Sequence, residues 1–338
     1  MIERTQRNKG GTGLYDRGLG VLDQYGLTAK SVMRGRGALI CDTEQGLKII
    51  REYWGSPRKM EQQQKLQQNC RKSGFLLVDQ VLSNQEGQVI SRDEDGCPYV
   101  VRDWFSGREC DTRSEEDIRR GVCAMARLHT AMQMEHEDTD CAGDLAEEMN
   151  KHNRELRKIR KFVQKKKKKN EFETRLAENI SYFLEQGEKT AEKLEESGYR
   201  QLLEENKNSV CHGECNQHNI LSTRDGIAFT NFEHWNYGIQ TADLCQFMRK
   251  ILEKHRWNRE LGGIMLDSYE SVKPLSDGEI LNLKLQLSYP WKFWKLANFY
   301  TNSNKVWISQ KNTEKLNQTI ALIGPRERFL ENFPGSTQ

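Results

Sequence analysis

Side chains that could take up a proton or bind a metal ion are concentrated around one predicted hairpin, at residues 211–233. Residues 211–219 read CHGECNQHN, and they are followed by a short apolar run. Arg224-Asp225-Gly226 then separates this run from a second one, which ends in Asn231-Phe232-Glu233. Asp-Gly between two apolar runs is typical of a β-hairpin turn. The sequence therefore predicts a polar loop, a hairpin, and polar side chains at the far end of its second strand.

This arrangement resembles the active-site hairpin of kinases, above all the aminoglycoside and choline phosphotransferase branch. That pattern is His-x-Asp, four residues, Asn, and after the hairpin an Asp before Phe or Trp. His212, Asn219 and the hairpin have the same spacing, with Glu214 at the base aspartate and Asn231 at the metal aspartate. The resemblance implies catalytic roles for His212, Glu214 and Asn219, and magnesium ligation by Asn219, Asn231 and Glu233, with ATP and Mg²⁺ as cofactors. Because side chains alternate along a strand, Glu233 should share a face with Asn231 and could supply the missing charge.

Length and charge exclude several classes of protein. A chain of 338 residues suits two lobes of one enzyme-like unit, and a net charge of only +3 does not favour nucleic acid as a partner. Residues 1–9 contain no apolar segment typical of a secretory signal, and no run approaches the length of a membrane helix. We therefore expect a protein that is made in the cytoplasm and does not enter a membrane.

The nine cysteines do not form a metal-binding framework. Cys211 and Cys215 flank His212 and precede His218, which could be interpreted as a metal site, but no second pair follows at zinc-like spacing. An odd number of scattered cysteines without a signal peptide is typical of reduced thiols.

The first 105 residues predict a small sheet with one helix. Strand patterns cover 38–41, 47–50, 76–82, 88–91 and 99–104, and residues 58–73 have helical spacing that ends at Gly74. We expect a mixed five-stranded sheet in this lobe, residues 1–105.

Within this lobe the kinase resemblance implies residues that bind the nucleotide. Lys48, between Leu47 and Ile49, resembles the phosphate lysine of the third strand, although it could be a solvated lysine. Gly35 and Gly37 would form the turn that covers the phosphates, but any tight hairpin needs such glycines. The helix glutamate that pairs with the lysine falls near Gln63, and Glu61 is the only acid on that helix.

Residues 106–338 predict a mainly helical lobe. Residues 150–169 are strongly basic and have an apolar edge at helical spacing, so we expect a basic helical insert there. One interpretation is a solvated helix whose charge is offset by acids in 171–196. The other is a docking face for a phosphate, an anionic polymer or an acidic partner, and Phe162 is its only aromatic residue.

Several phrases along the chain are similar to CotS-type spore coat proteins of endospore-forming bacteria. They include Gly35–Leu39, Gly107–Asp111, Asn231–His234, Gln246–Lys254 and Trp294–Asn298. This resemblance implies synthesis in the mother-cell cytoplasm, deposition in the spore coat, and other coat proteins as partners.

Taken together, these features predict an α+β, two-lobed protein-kinase-like fold with three functional hypotheses. The favoured one is a structural or weakly active spore coat component. The alternatives are an ATP/Mg²⁺-dependent phosphotransferase acting on a hydroxyl of a small molecule or sugar, and a nucleotide-binding module without turnover.

Overall fold

The computed structural model describes residues 17–135, 143–302 and 309–333, so residues 1–16 of the predicted small lobe lie outside it. The strands are β1 (Ala29–Gly35), β2 (Ala38–Thr43), β3 (Gly46–Glu52), β4 (Ser91–Arg92), β5 (Pro98–Asp103), β6 (Gly107–Glu109), β7 (Val210–Cys211), β8 (Ile220–Thr223), β9 (Gly226–Phe229) and β10 (Asn236–Tyr237). The helices are α1 (Pro57–Lys72), α2 (Glu115–Ala131), α3 (Leu145–Lys165), α4 (Glu171–Glu196), α5 (Tyr199–Glu205), α6 (Thr241–Lys254), α7 (Arg259–Glu270), α8 (Asp277–Ser288), α9 (Trp291–Asn302), α10 (Gln310–Ala321) and α11 (Ile323–Glu331). Short 3₁₀ helices cover Leu19–Tyr25 and Phe232–His234.

These elements form two compact units that are discontinuous in sequence. The first comprises the chain up to Met134 together with His212–Trp235, and the second comprises Glu135–Cys211 and the chain from Asn236 onward. The hairpin predicted to carry the chemistry therefore belongs to the same unit as the small sheet. The lobe boundary near residue 105 was based on strand and helix content and stays a prediction.

The sheet of the first unit has five strands in the order β1-β2-β3-β5-β4. The predicted small sheet lobe and its fold class are confirmed, but all four strand pairings are antiparallel rather than mixed. Two of these pairings have a local reason: the two-residue connections Arg36-Gly37 and Glu44-Gln45 join β1 to β2 and β2 to β3, and such short turns can only reverse the chain.

The strand predicted at 76–82 does not form, and the fifth strand of the sheet is instead β1, which was not predicted as a strand from the sequence. Leu77 accepts a hydrogen bond from the Phe229 N–H of β9, whereas the Leu82 N–H donates to Val101 of β5. Between them, the Val81 N–H donates to the side chain of Gln67 in α1. The backbone thus divides its hydrogen bonds among three elements, which the apolar composition of the segment could not reveal.

Helices α1 and α2 begin where their capping residues predict, and α1 also ends where Gly74 predicts. Ser56 accepts a hydrogen bond from the Lys59 N–H before α1, and Ser114 accepts one from the Asp117 N–H before α2. Beyond α1, Gly74 has a φ of 91°, a conformation that glycine adopts without strain. Met60 of α1 packs against Val81 and Val100, which fixes the face of the sheet that α1 covers.

The second unit is helical and is built around the antiparallel pair α3 and α4. Leu156 and Val163 of α3 pack with Phe172 and Phe183 of α4, and the ring of Phe293 stacks on Phe183 with centroids 4.0 Å apart. Full burial of each such side chain contributes about 1.5–3 kcal/mol. The predicted basic helix is present, but α3 ends at Lys165, and residues 166–170 connect it to α4.

No helix in the described part of the chain combines the length and apolar character needed to cross a membrane.

Candidate active site

The loop before β8 is held in place by the buried imidazole of His212. Its Nδ1 accepts a hydrogen bond from the Glu214 N–H at 3.2 Å, so the proton lies on Nε2, which donates to the Thr230 carbonyl at 3.0 Å. The ring also packs against Phe232, with centroids 4.5 Å apart. A neutral imidazole with both nitrogens bonded in this way positions the loop against the end of β9.

Asn219 braces the same loop through its amide nitrogen. Its Nδ2 donates to the Glu214 carbonyl at 2.9 Å, and Asn216 Nδ2 donates to the same oxygen at 3.2 Å. The Asn219 carbonyl accepts the Thr230 N–H at 3.0 Å, which joins the first residues of the hairpin to its end. This leaves the Asn219 Oδ1 as the atom that could approach a metal ion or a phosphate.

Asn231 lies at the end of β9 in a left-handed conformation, with φ 68° and ψ 59°. Asparagine tolerates this region better than most residues with a side chain. Its Nδ2 donates to Glu214 Oε2 at 2.7 Å, and its Oδ1 accepts from Arg51 Nη1 at 3.2 Å. Its backbone N–H donates to Asp79 Oδ2 at 2.7 Å. Every polar group of Asn231 other than its carbonyl therefore has a partner in the same unit.

Two arginines pair with Glu233. Its Oε1 lies 3.0 Å from Arg102 Nη2 and 3.4 Å from Arg51 Nη1. Arg102 stands opposite Ile49 in the β3–β5 pairing, and Arg51 is two residues further along β3, so both guanidinium groups leave the same face of the sheet. Glu233 does lie near Asn231, since both contact Arg51 Nη1, but β9 ends at Phe229 and Glu233 lies in the 3₁₀ helix, so strand alternation is not the reason. The charge of Glu233 is already neutralised by the two arginines.

Lys48 is not part of this group. Its Nζ donates to Asp103 Oδ1 at 2.9 Å and to the Gln45 carbonyl at 2.7 Å, and the side chain is almost fully buried. Because side chains alternate along β3, Lys48 leaves the face opposite to that of Ile49 and Arg51. Its proposed contact with phosphate stays a prediction, and Arg51 is the cation of β3 that reaches Asn231.

Gly35 and Gly37 flank the tip of the β1–β2 hairpin. Arg36 and Gly37 have φ values of 56° and 68°, as a two-residue type I′ turn requires, and Gly35 pairs with Ala38. The turn is tied to the arginine group, because Arg51 Nη2 donates to the Arg36 carbonyl at 3.1 Å. The Arg36 side chain in turn donates to Glu109 Oε1 at 2.7 Å. Whether this turn covers phosphates stays a prediction.

Helix α1 contributes a glutamine to the region. Glu61 is exposed, whereas Gln67 is fully buried. Gln67 Nε2 donates to Asp79 Oδ1 at 3.0 Å, and its Oε1 accepts the Val81 N–H. Gln63 and Gln67 are one helical turn apart on the buried face, whereas Glu61 is two residues before Gln63 and leaves the helix on another side.

Asp79 is a buried carboxyl group directly behind Asn231. Burial raises the pKa of Asp79 to about 7, although Arg102 and the Asn231 N–H both favour its charged form. The carboxyl group accepts hydrogen bonds from Asn231 and Gln67, so it links α1 to the end of the hairpin.

The donor set does not fit Mg²⁺. The kinase resemblance assigns the metal to the amide oxygens of Asn219 and Asn231 and the carboxylate of Glu233. Asn231 and Glu233 already face guanidinium groups. Mg²⁺ favours carboxylate oxygens and near-ideal octahedral geometry. Across the described ranges, no cluster of three or more His, Cys, Asp or Glu side chains is arranged to hold a metal ion.

Arg51, Arg102 and Asp79 were missed in the sequence. Arg102 follows Tyr99-Val100-Val101, so it is a charged residue in an apolar strand, the same signal that singled out Lys48. Arg51 ends the apolar run of β3, three residues after Lys48, where a polar residue is ordinary and carries no signal of its own. Asp79 lies in the segment misread as a regular strand.

Comparisons with known proteins agree with this fold. The family model described as "Spore coat putative kinase YutH" matches residues 20–333 of the chain. Spore coat protein S of Bacillus subtilis (strain 168) is 20% identical over 325 residues, which cover 90% of this chain and 89% of that protein.

Two solved structures of phosphotransferases have the same fold. An aminoglycoside phosphotransferase from Alicyclobacillus acidocaldarius superposes with a TM-score of 0.83 at 17% identity, covering 96% of this chain and 97% of that one. Spectinomycin phosphotransferase APH(9)-Ia, in complex with ADP and spectinomycin, gives a TM-score of 0.63 at 10% identity, with 92% and 97% covered. At these identities the likeness shows the fold alone.

Proposed function

Because the chain belongs to the spore coat putative kinase family, we propose that it is a structural component of the spore coat that retains the kinase fold without magnesium-dependent phosphoryl transfer. The observation that supports this most is the pairing of Glu233 and Asn231 with Arg51 and Arg102. A guanidinium group where a metal-binding carboxylate would meet Mg²⁺ repels the ion and occupies its ligands.

The catalytic base is also altered. Glu214 has one more methylene than the base aspartate of the kinase pattern, and its Oε2 accepts a hydrogen bond from the Asn231 amide. General-base catalysis contributes about 10²- to 10⁴-fold. A displacement of about 1 Å forfeits about 10²-fold. The altered base and the arginine-paired metal positions together would leave turnover far below that of a working kinase.

The cellular location that we propose is the one implied by membership of the spore coat family. We propose synthesis in the mother-cell cytoplasm, deposition in the coat, and contact with other coat proteins there. The purified protein should consume ATP with Mg²⁺ far below the about 1–100 s⁻¹ typical of kinases.

Glu214→Gln serves as the control, since it removes the base and keeps the shape of the side chain. Equal, very low rates in both proteins support the proposal. A wild-type rate within the kinase range that falls in Glu214→Gln would reject it in favour of a phosphotransferase.

Helix α3 supplies the surface that we propose for an acidic partner in the coat. Its cations at spacings of three and four residues are all exposed, and none forms a salt bridge with a described residue: Lys151, Arg154, Lys158, Lys161 and Lys165. This stripe lies opposite the buried side chains Met149, Leu156 and Val163. A continuous row of positive charge without salt bridges, on a molecule of net charge +3, favours an anionic partner over a merely solvated helix.

A further inference from the structure

We propose that Arg51 and Arg102 take the place of the divalent cation, so that this site binds a di- or triphosphate group without a metal. The inference rests on the proposed function, because it assigns a ligand to a site that we propose does not transfer phosphate. Its chemical target is the phosphate chain of a nucleotide or of inorganic polyphosphate.

The charge at the site supports this replacement. A metal-binding aspartate with its Mg²⁺ carries a net charge of +1. Asn231 is neutral, Glu233 carries −1, and Arg51 and Arg102 carry +1 each, so these four residues also have a net charge of +1 without a metal. The carboxylate of Glu214 contacts Asn231 and offsets this charge, and Asp79, whose pKa burial raises to about 7, offsets it further as the pH rises above that value. The two guanidinium groups are thus the positive charges that a phosphate chain can meet at this site.

The arginines have donors left for a ligand. A guanidinium group carries five N–H donors. Arg102 is 3% exposed, its Nη2 faces Glu233, and its Nε is buried with no hydrogen-bond partner in the described part of the chain. Arg51 remains partly exposed, with 28% of its side chain accessible, so a ligand can reach it. Planar guanidinium forks match phosphate oxygens, and one phosphate can replace the single carboxylate that both arginines share.

The surrounding elements hold Arg51 ready for a ligand. Its Nη2 donates to the carbonyl of Arg36 in the β1–β2 turn, and its Nη1 faces the Asn231 amide oxygen. The turn is itself fixed by the Arg36 side chain, which bonds Glu109 and lies 5.5 Å from the Trp104 ring centroid. A cation held from two sides loses little freedom on binding, which favours affinity.

Isothermal titration of the full chain with sodium triphosphate and with ATP, each in EDTA and in Mg²⁺, tests the proposal. We expect binding of at least one ligand in EDTA and no gain in affinity from Mg²⁺. ATP binding more tightly than triphosphate would identify a nucleotide as the ligand, whereas equal affinities would identify the phosphate chain alone, and either result supports the site. Binding that requires Mg²⁺, or no binding of either ligand in EDTA, overturns it.

Variants locate the site. Arg51→Met should weaken triphosphate binding about tenfold to hundredfold, because it removes charge-assisted hydrogen bonds. Arg51→Lys should retain part of the affinity as a point charge without the fork. Arg224→Met is the matched control, since Arg224 is 95% exposed in the same unit and pairs only with its neighbour Asp225 among the described residues.

If Lys48→Met abolishes binding while Arg51→Met does not, the sequence-predicted lysine is the phosphate ligand and the proposal is wrong. Absence of metal-free binding without any ATP turnover rejects this inference and leaves the proposed function intact.

Discussion

The side-chain amide of Asn231 makes a contact that a carboxylate in its place could not make. It donates to Glu214 Oε2 at 2.7 Å while accepting from Arg51. An aspartate there would place a second carboxylate beside Glu214. Repulsion between two like charges at this distance raises the pKa of one of the two carboxyl groups. Glu214 and Asn231, the two departures from the kinase pattern, are therefore compatible with each other, and changing one alone disturbs the other.

A second residue, His152 in α3, makes the helical unit sensitive to acid. Its ring stacks on Trp294 with centroids 3.4 Å apart, and burial lowers the pKa of His152 to about 4. In the unfolded chain the group titrates near 6.5. Above pH 6.5 both states hold a neutral ring, so the stability is fully present there. As the pH falls from 6.5 towards 4, only the unfolded chain takes up the proton and the free energy of unfolding decreases.

We expect His152 to contribute a loss on the order of 2–3 kcal/mol over this window. His152→Phe keeps an aromatic ring in the stack and cannot be protonated. Denaturant unfolding at about pH 7.5 and about pH 4.5 should show a larger drop for the wild type than for His152→Phe. Identical drops in the two proteins would mean that the buried imidazole does not govern this part of the acid sensitivity.

At the scale of elements, turn residues, helix caps and periodicity predicted the features that depend on short-range interactions. The β8–β9 hairpin, the capped helices α1 and α2 and the basic helix α3 all follow from turn residues, caps and periodicity. The face of β3 that meets α1 could not be predicted in this way. Leu47, Ile49 and Ile50 place apolar residues on both faces of the strand, so the sequence had no alternation to separate Lys48 from Arg51. Packing of Met60 and Val100 decides it.

The basic stripe of α3 gives an element-scale prediction. Lys158→Glu/Lys161→Glu should leave the free energy of unfolding within about 0.5 kcal/mol of wild type, because both side chains are exposed. The same change should reduce the amount of protein recovered in coat extracts of sporulating cells, since it reverses the charge offered to an acidic partner.

Lys311→Glu/Lys315→Glu on α10 is the matched control, with the same number of exposed lysines reversed in the same unit. An equal reduction in the recovery of both variants would show that net charge matters and the α3 stripe does not. Normal recovery of the α3 variant would contradict docking through this helix.

At the scale of the whole molecule, the fold and the chemistry are separable. The chain matches a phosphotransferase structure with a TM-score of 0.83 at 17% identity, so the architecture is kept while most of the residues differ. The core relies on apolar contacts such as those between α3 and α4, which involve none of the site residues. The site is assembled from β3, β5, the segment at Asp79 and the hairpin, so its charge is a joint property of the unit.

The last prediction follows from this joint property. Glu214→Asp/Asn231→Asp restores the two aspartates of the kinase pattern. A dormant but otherwise intact kinase site would then gain magnesium-dependent ATP turnover. We expect no such gain, because Arg51 and Arg102 would pair with the carboxylate introduced in place of the Asn231 amide and with Glu233, and would still exclude the ion.

Adding Arg51→Met to these two changes removes one cation, and we expect metal binding to appear only in this triple variant. Titration with Mn²⁺ as the probe, followed by electron paramagnetic resonance, measures it directly. Metal binding or ATP turnover in the double variant would show that the arginines are no barrier and that the two acids alone separate this protein from a working kinase. Absence of metal binding in the triple variant would mean that Arg102 and the amide of Asn219 suffice to keep the ion out. Arg102 should then be the cation whose removal restores metal binding, since Glu233 is its only ion-pair partner among the described residues.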